Sequence, residues 1–205
     1  MNAFQFDREL DSLYAEFEAA VQPWKAQAVC GPGCAYCCTH YGRLDVVTLE
    51  ALRIRDWLEA RPPGERRELR RAIEDNRKAK EAGRAARCPF LAADRTCRIY
   101  PLRPFSCRQL YSLQPCEGRG ATLHRGAVRL AEATVTALKA LDANGYAGHI
   151  SFLLHLLDQP EFARTYRRGG FDPAAVAAFG RAHGLTINRL AGAAPLRSRN
   201  GPPGP

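Results

Sequence analysis

Cys30-Gly31-Pro32-Gly33-Cys34-Ala35-Tyr36-Cys37-Cys38 is the stretch on which the reading of this chain turns, because it packs four thiols into nine positions. Gly31, Pro32 and Gly33 exclude regular structure between the first two thiols and permit a sharp turn, which a loop needs when several sulfurs converge on one point. Four more cysteines, Cys88, Cys97, Cys107 and Cys116, begin about fifty residues later. Thiolates are soft ligands suited to zinc or iron–sulfur clusters, and their sites draw ligands from separate chain segments. All eight cysteines are therefore candidate metal ligands. Side chains of adjacent residues are expected to diverge, so at most one of Cys37 and Cys38 should ligate a given metal.

With 205 residues, 46% of them hydrophobic, the chain can bury a core without disulfides. Met1 to Leu10 is polar and acidic and lacks the basic and apolar regions of a secretory signal, and no stretch reaches transmembrane length. The expectation is a soluble, cytoplasmic protein without a membrane partner. In that reducing compartment, cysteines read as ligands or redox groups. The net charge of +9 does not point to nucleic acid. Its densest run, Arg66 to Arg87, is interleaved with Glu65, Glu68, Glu74, Asp75 and Glu81, as on a solvated helix face with pairs such as Glu74 and Lys78.

Phe6, Leu10, Leu13, Tyr14, Phe17 and Val21 follow helical spacing, with Pro23 expected to end or kink the helix. Thr48 is the expected N-cap of a second helix carrying Leu49, Leu52, Ile54, Trp57 and Leu58 inward. A charged third helix from about Glu65 to Ala82, anchored by Leu69 and Ile73, should stop at Gly83. Cys88-Pro-Phe-Leu and Cys97-Arg-Ile-Tyr read as a short hairpin with both thiols facing inward. Beyond Cys116, Val128, Ala131, Val135 and Leu138 form one helical stripe, and Ile150, Leu153, Leu154 and Leu157 another. Asp172 followed by Pro173 should start a last helix that ends near Gly184. The expected fold is mainly α, an irregular helical domain with a short β-hairpin around a cysteine-ligated centre. One domain spans 1–192, with its metal core at 30–116, helical support at 121–192 and a disordered tail at 193–205.

Cys30-x3-Cys34-x2-Cys37, with Tyr36 before the third thiol, is locally similar to the cluster motif of radical-SAM enzymes. The strand before the motif, the alternating βα pattern and the glycine-rich SAM segment of those enzymes have no counterpart here. Read together, Cys30-x3-Cys34-x2-Cys37-Cys38, Cys88-Pro-Phe-Leu, Cys97-Arg-Ile-Tyr and Arg103-Pro-Phe-Ser-Cys107-Arg resemble the YkgJ-like, CxxCxxCC family of zinc- or iron-chelating proteins. Three residues rather than two separate Cys30 from Cys34, which sets Cys30 apart from the family's pattern. The resemblance implies metal chelation. A distantly similar cysteine domain occurs in the flagellin lysine N-methylase, which resembles an iron–sulfur, SAM-dependent enzyme.

Arg98, Arg103 and Arg108 stand beside cysteines, where they could offset thiolate charge or equally form salt bridges and loop bonds. Tyr100 and Tyr111 read as core. His40, His124, His149, His155 and His183 are not taken as ligands, and no hydrolase triad or phosphate loop is present. The expected function is chelation of an iron–sulfur cluster, preferred over zinc, for redox, sensing or metal handling, with the metal or cluster as partner and room for a protein partner. The alternatives are a structural zinc protein and a cluster-dependent protein-modifying enzyme.

Overall fold

The apolar spacing near the N-terminus is realised as helix α1 (Ala3–Lys25), with Pro23 in its last turn. The protein is seen here in a computed structural model that describes residues 3–42, 44–116, 118, 120–169 and 173–187. It is mainly α-helical. After α1 come strand β1 (Asp45–Val47), α2 (Thr48–Glu59), α3 (Pro63–Glu81), the short α4 (Phe105–Arg108) and α5 (Arg125–Leu141). Strand β2 (Ala147–His149), α6 (Ile150–Leu157), α7 (Pro160–Arg167) and α8 (Pro173–Ala182) complete the described order. Asp172 and the tail at 193–205 lie outside the described residues.

Two apolar clusters organise these elements. One joins α1 to α4 and α5 through Leu10, Tyr14, Phe17, Val21, Phe105 and Leu138. The other surrounds α6, where Ile150, Phe152, Leu153, Leu154, Leu156 and Leu157 are all buried. A helix apolar on every side must be enclosed, and α2, α3 and α7 pack against it.

Strands β1 and β2 pair antiparallel, with Val46 opposite Gly148, and each runs straight into a helix. Three-residue strands carry too little alternation to be recognised in a sequence. The expected hairpin after Cys88 closes through a single bridge between Leu91 and Cys97. Ala92 N–H donates to the Thr96 carbonyl at 2.9 Å, Arg98 N–H donates to that of Phe90 at 2.9 Å, and Arg95 turns the chain at φ 68°.

The start of α2 corrects the capping expectation. Val47 holds the N-cap position, and Glu50 reaches back to accept its N–H at 2.9 Å. Thr48 instead clasps Tyr146, donating to its carbonyl at 2.9 Å and accepting its N–H at 2.7 Å. The Leu49 N–H donates to the Asp142 carboxylate at 3.0 Å, so a side chain from beyond α5 satisfies the helix end. Val128 is also corrected: it is 38% exposed, while Ala127 takes the buried place beside Ala131 and Leu138.

Burial pushes the Asp142 carboxyl up to about 6, although bonds from Leu49 and the Tyr166 hydroxyl oppose the rise. Its folded pKa thus exceeds the ordinary carboxylate value, and the folded state holds the extra proton between about pH 4 and 6. Stability attributable to this group falls as pH rises through that window, by up to about 3 kcal/mol. Asp142→Asn keeps an acceptor for Leu49, and urea unfolding should show a flatter stability profile from pH 4 to 7 than the parent. An unchanged slope would contradict this assignment.

Candidate metal centre

Tyr36 leads into a π-helical turn, Cys37–Tyr41, that ends at Gly42 in the left-handed conformation with φ 55°. A side chain is poorly tolerated at that angle, so glycine suits the exit from the turn. Thr39 donates to the carbonyls of Ala35 and Tyr36, each at 3.0 Å, tying the turn back on itself. The Cys88 N–H donates to the Cys38 carbonyl at 2.7 Å, which joins the two cysteine-bearing segments directly. Cys107 comes from α4, whose first turn follows Pro104.

A cavity of about 30 Å³ lies at this junction, lined by Cys37, Cys38, Cys88 and Cys107 together with Asn76 and His149. Both thiols of the adjacent pair line it, against the expectation that they diverge. Cys37 hydrogen-bonds Cys38, and Cys38 hydrogen-bonds Cys88. Cys97 stands within electrostatic reach of Cys37, Cys38 and Cys107, making an inner group of five.

The crowding is visible in the acidities. The hydrogen bond to Cys38, with burial, pushes the Cys37 thiol far up. Cys38 is drawn down by its bond from Cys37, but the bond to Cys88 and burial outweigh this and carry it up to about 11. Burial and the neighbouring thiols push Cys107 up as well. Without a cation, adding negative charge here is costly, so the thiols share protons instead. Among the described residues, no three Cys, His, Asp or Glu side chains already stand as a coordination shell. The sulfurs are gathered without being converged.

The other three cysteines form an outer group. Cys30 hydrogen-bonds Cys34, and Cys116 is near enough to raise the Cys30 pKa, after burial as the largest cause. Cys30 and Cys34 are exposed and Cys116 half-buried. The eight candidates are thus divided five and three.

The arginines also separate. Arg103 lies over the Tyr100 ring at 3.8 Å; burial raises the Cys97 and Cys107 thiols, and the Arg103 charge opposes that rise in part. Arg98 pairs with Glu68 on α3 at 2.6 Å. Arg108 bonds the carbonyls of Arg103 and Pro101 at 2.7 and 3.0 Å and pairs with Glu18 at 3.0 Å. Arg108 therefore holds the loop, and Arg103 faces the thiols. Tyr111 is buried as expected, but Tyr100 is corrected: it is 59% exposed, at the start of a short 3-10 turn, with one ring face under Arg103.

Two polar residues near the cavity, Asn76 and Lys80, escaped the sequence reading, and a third, His149, was named there only as a histidine not taken as a ligand. Asn76 and Lys80 share the buried face of α3 with Leu69 and Ile73, a spacing that could have flagged them. The Asn76 amide donates to the Arg87 carbonyl at 2.8 Å, and Lys80 donates to the carbonyl of Gly42. His149 is 5% exposed, and burial plus the Lys80 charge press its pKa down to about 3. Its Nδ1 meets Ser151 at 2.9 Å, and it also bonds the Gly42 backbone, so the imidazole shapes the wall. Only its place before the apolar run of α6 hinted at a capping role. His40 stacks on Tyr36 at 4.2 Å and is exposed.

Residues 29–125 match the family model CxxCxxCC, described as a putative zinc- or iron-chelating domain. These residues are a CxxCxxCC domain. No curated protein and no solved structure matches the chain. The matched stretch of the CxxCxxCC domain contains all eight cysteines and the whole of the charged α3. Among the described residues, no helix is long and apolar enough to cross a membrane.

In the metal-free, reduced protein, maleimide labelling read by mass spectrometry should mark Cys30 and Cys34 first and Cys107 last. The expected spread is on the order of tenfold or more in rate, from exposure and thiolate fraction. Equal rates at all eight would contradict the division.

Proposed function

We propose that this protein chelates a thiophilic metal through the inner thiols, as the family description suggests. The observation that carries the reading is that Cys37, Cys38, Cys88 and Cys107 come from separate stretches of chain and line one small cavity, with Cys97 within electrostatic reach of three of them. The donor set fits: soft sulfurs that now share protons become ligands when a cation replaces those protons. The Asn76 carbonyl oxygen supports it too, being buried in the cavity wall without a hydrogen-bond partner. A polar atom left in that state is costly unless something polar enters.

The roles of the chain follow. The π-turn and the Cys38–Cys88 backbone bond hold the sulfurs in register, while Leu44, Ala86 and Leu110 restrict water. Arg103 offsets part of the charge that four thiolates would bring. A bound metal would supply a cross-link between chain segments and, if iron, a redox-active centre. A cavity of about 30 Å³ has room for one or two water-sized bodies, which favours a single iron or zinc ion. An iron–sulfur cluster is the second reading, favoured by the presence of five thiols where one tetrahedral ion needs four.

Protein purified without oxygen should carry iron or zinc. Visible absorption with matching inorganic sulfide would select the cluster; its absence would select the single ion. Cys88→Ser and Cys107→Ser should each cut bound metal several-fold and lower the melting temperature, because ligands from distant segments make binding energy part of folding energy. Undiminished metal in both variants would overturn the inner centre.

A further inference from the structure

A second cavity, of about 200 Å³, opens where the C-terminal half of α6 meets α2 and α3. Arg55, Arg70, Glu74, His155 and Asp158 form its polar wall over apolar side chains from all three helices, and no cysteine lines it. The wall is unevenly partnered. Nε and Nη1 of Arg55 are buried and have no hydrogen-bond partner among the described residues. A guanidinium stays protonated at any ordinary pH, and a buried cation without an acceptor is costly to a fold. The acids that would satisfy it are already taken. Glu59, one turn farther along α2, is bonded by Arg70 and lies 3.8 Å from Arg66. Asp158 accepts from Arg70 at 2.7 Å through Oδ2. Glu74 gives both oxygens to Arg77, at 2.7 and 2.9 Å, with Lys78 at 3.5 Å. The charge of Arg55 is left over.

An anion answers that surplus, and the cavity limits its size. Drug-sized ligands occupy roughly 300–1,000 Å³, so the smaller space suits an ion of a few atoms. The ion must also lie beside Asp158, whose Oδ1 stands outside the Arg70 bond and is an acceptor. A ligand that only accepts is repelled there, whereas one that carries its own proton can donate. Phosphate near neutral pH does both, and sulfate has no proton to give. His155 suits the same ligand. Burial, then the Arg77 charge, lowers its pKa below the ordinary histidine value, so the imidazole is neutral at pH 7 and has one donor and one acceptor nitrogen.

We propose that the cavity between α2, α3 and α6 binds inorganic phosphate, with Arg55 as its cationic anchor and Asp158 accepting the proton that the ion carries. The surrounding ion pairs hold Arg70 and Glu74 in their own partnerships, so the unmatched donors in the wall are those of Arg55. The site is independent of the chelating centre, because it shares no residue with the thiol-lined cavity.

The test is isothermal titration calorimetry of the full-length protein, purified without oxygen and held in phosphate-free buffer near neutral pH, with phosphate and then sulfate as titrant. The expected result is saturable binding of one phosphate per chain, with sulfate weaker by about tenfold or more, the worth of a lost hydrogen bond to a charged group. Asp158→Asn should narrow that preference. Arg55→Met should weaken phosphate binding by on the order of tenfold or more. Without phosphate, the same variant should melt no lower than the parent, because it removes a buried charge that lacks a partner. Absence of saturable phosphate binding by the folded parent would overturn the site, and so would undiminished binding by Arg55→Met. Equal affinity for sulfate would overturn the choice of phosphate. A lower melting temperature or failure to fold in Arg55→Met, without phosphate, would show that the guanidinium already has its partner within the fold and would overturn the premise.

Discussion

The buried carboxylate of Glu50 is the constraint on which the cysteine architecture depends. It is 3% exposed and accepts the Phe105 N–H at 2.7 Å, the Val47 N–H at 2.9 Å and the Tyr14 hydroxyl. One side chain thereby joins α1, the β1–α2 junction and α4. Phe105 lies two residues before Cys107, so this bond also fixes where that thiol enters the cavity. Burial pushes the Glu50 carboxyl up, while its three donors and the charge of Arg108 pull the other way. A carboxylate so placed is tolerated because its lone pairs are used, and removing one donor would leave an uncompensated polar group in the core.

Around that junction the chain manages charge and water differently on its two sides. The inner cavity is small, and its polar wall groups are mostly engaged in the fold: His149 by Ser151 and the Gly42 backbone, Asn76 by Arg87. Arg103 supplies positive charge toward Cys97 and Cys107. On the outer side, the cysteines sit on loops anchored through Ser112, with two of the three thiols exposed. A metal inside would stitch remote segments together.

The helices were legible where apolar periodicity was strong, as in α1, α2 and α6, and Gly83 does turn with φ 67° beyond α3. The cysteine-rich segments were legible as a group because eight thiols in recurring short patterns seldom serve packing alone. Their division was not, since separation into inner and outer groups depends on which loop Ser112 anchors, a contact between residues far apart in the chain. The hydrogen-bonded contact of Cys37 with Cys38 was hidden for a related reason: ordinary helix or strand geometry would part adjacent side chains, and the pair stands in a π-turn. Thr48 shows how tertiary structure overrides a local rule. Its hydroxyl is taken by Tyr146, and Asp142 and Glu50 take over the helix end.

That sulfur from this chain is what holds the metal can be asked of the metal directly. X-ray absorption at the metal edge of the intact protein, purified without oxygen, reports the elements bonded to it. The predicted spectrum is dominated by sulfur neighbours, with nitrogen or oxygen contributing no more than a minority; neighbours that are mainly nitrogen and oxygen would contradict a thiolate centre.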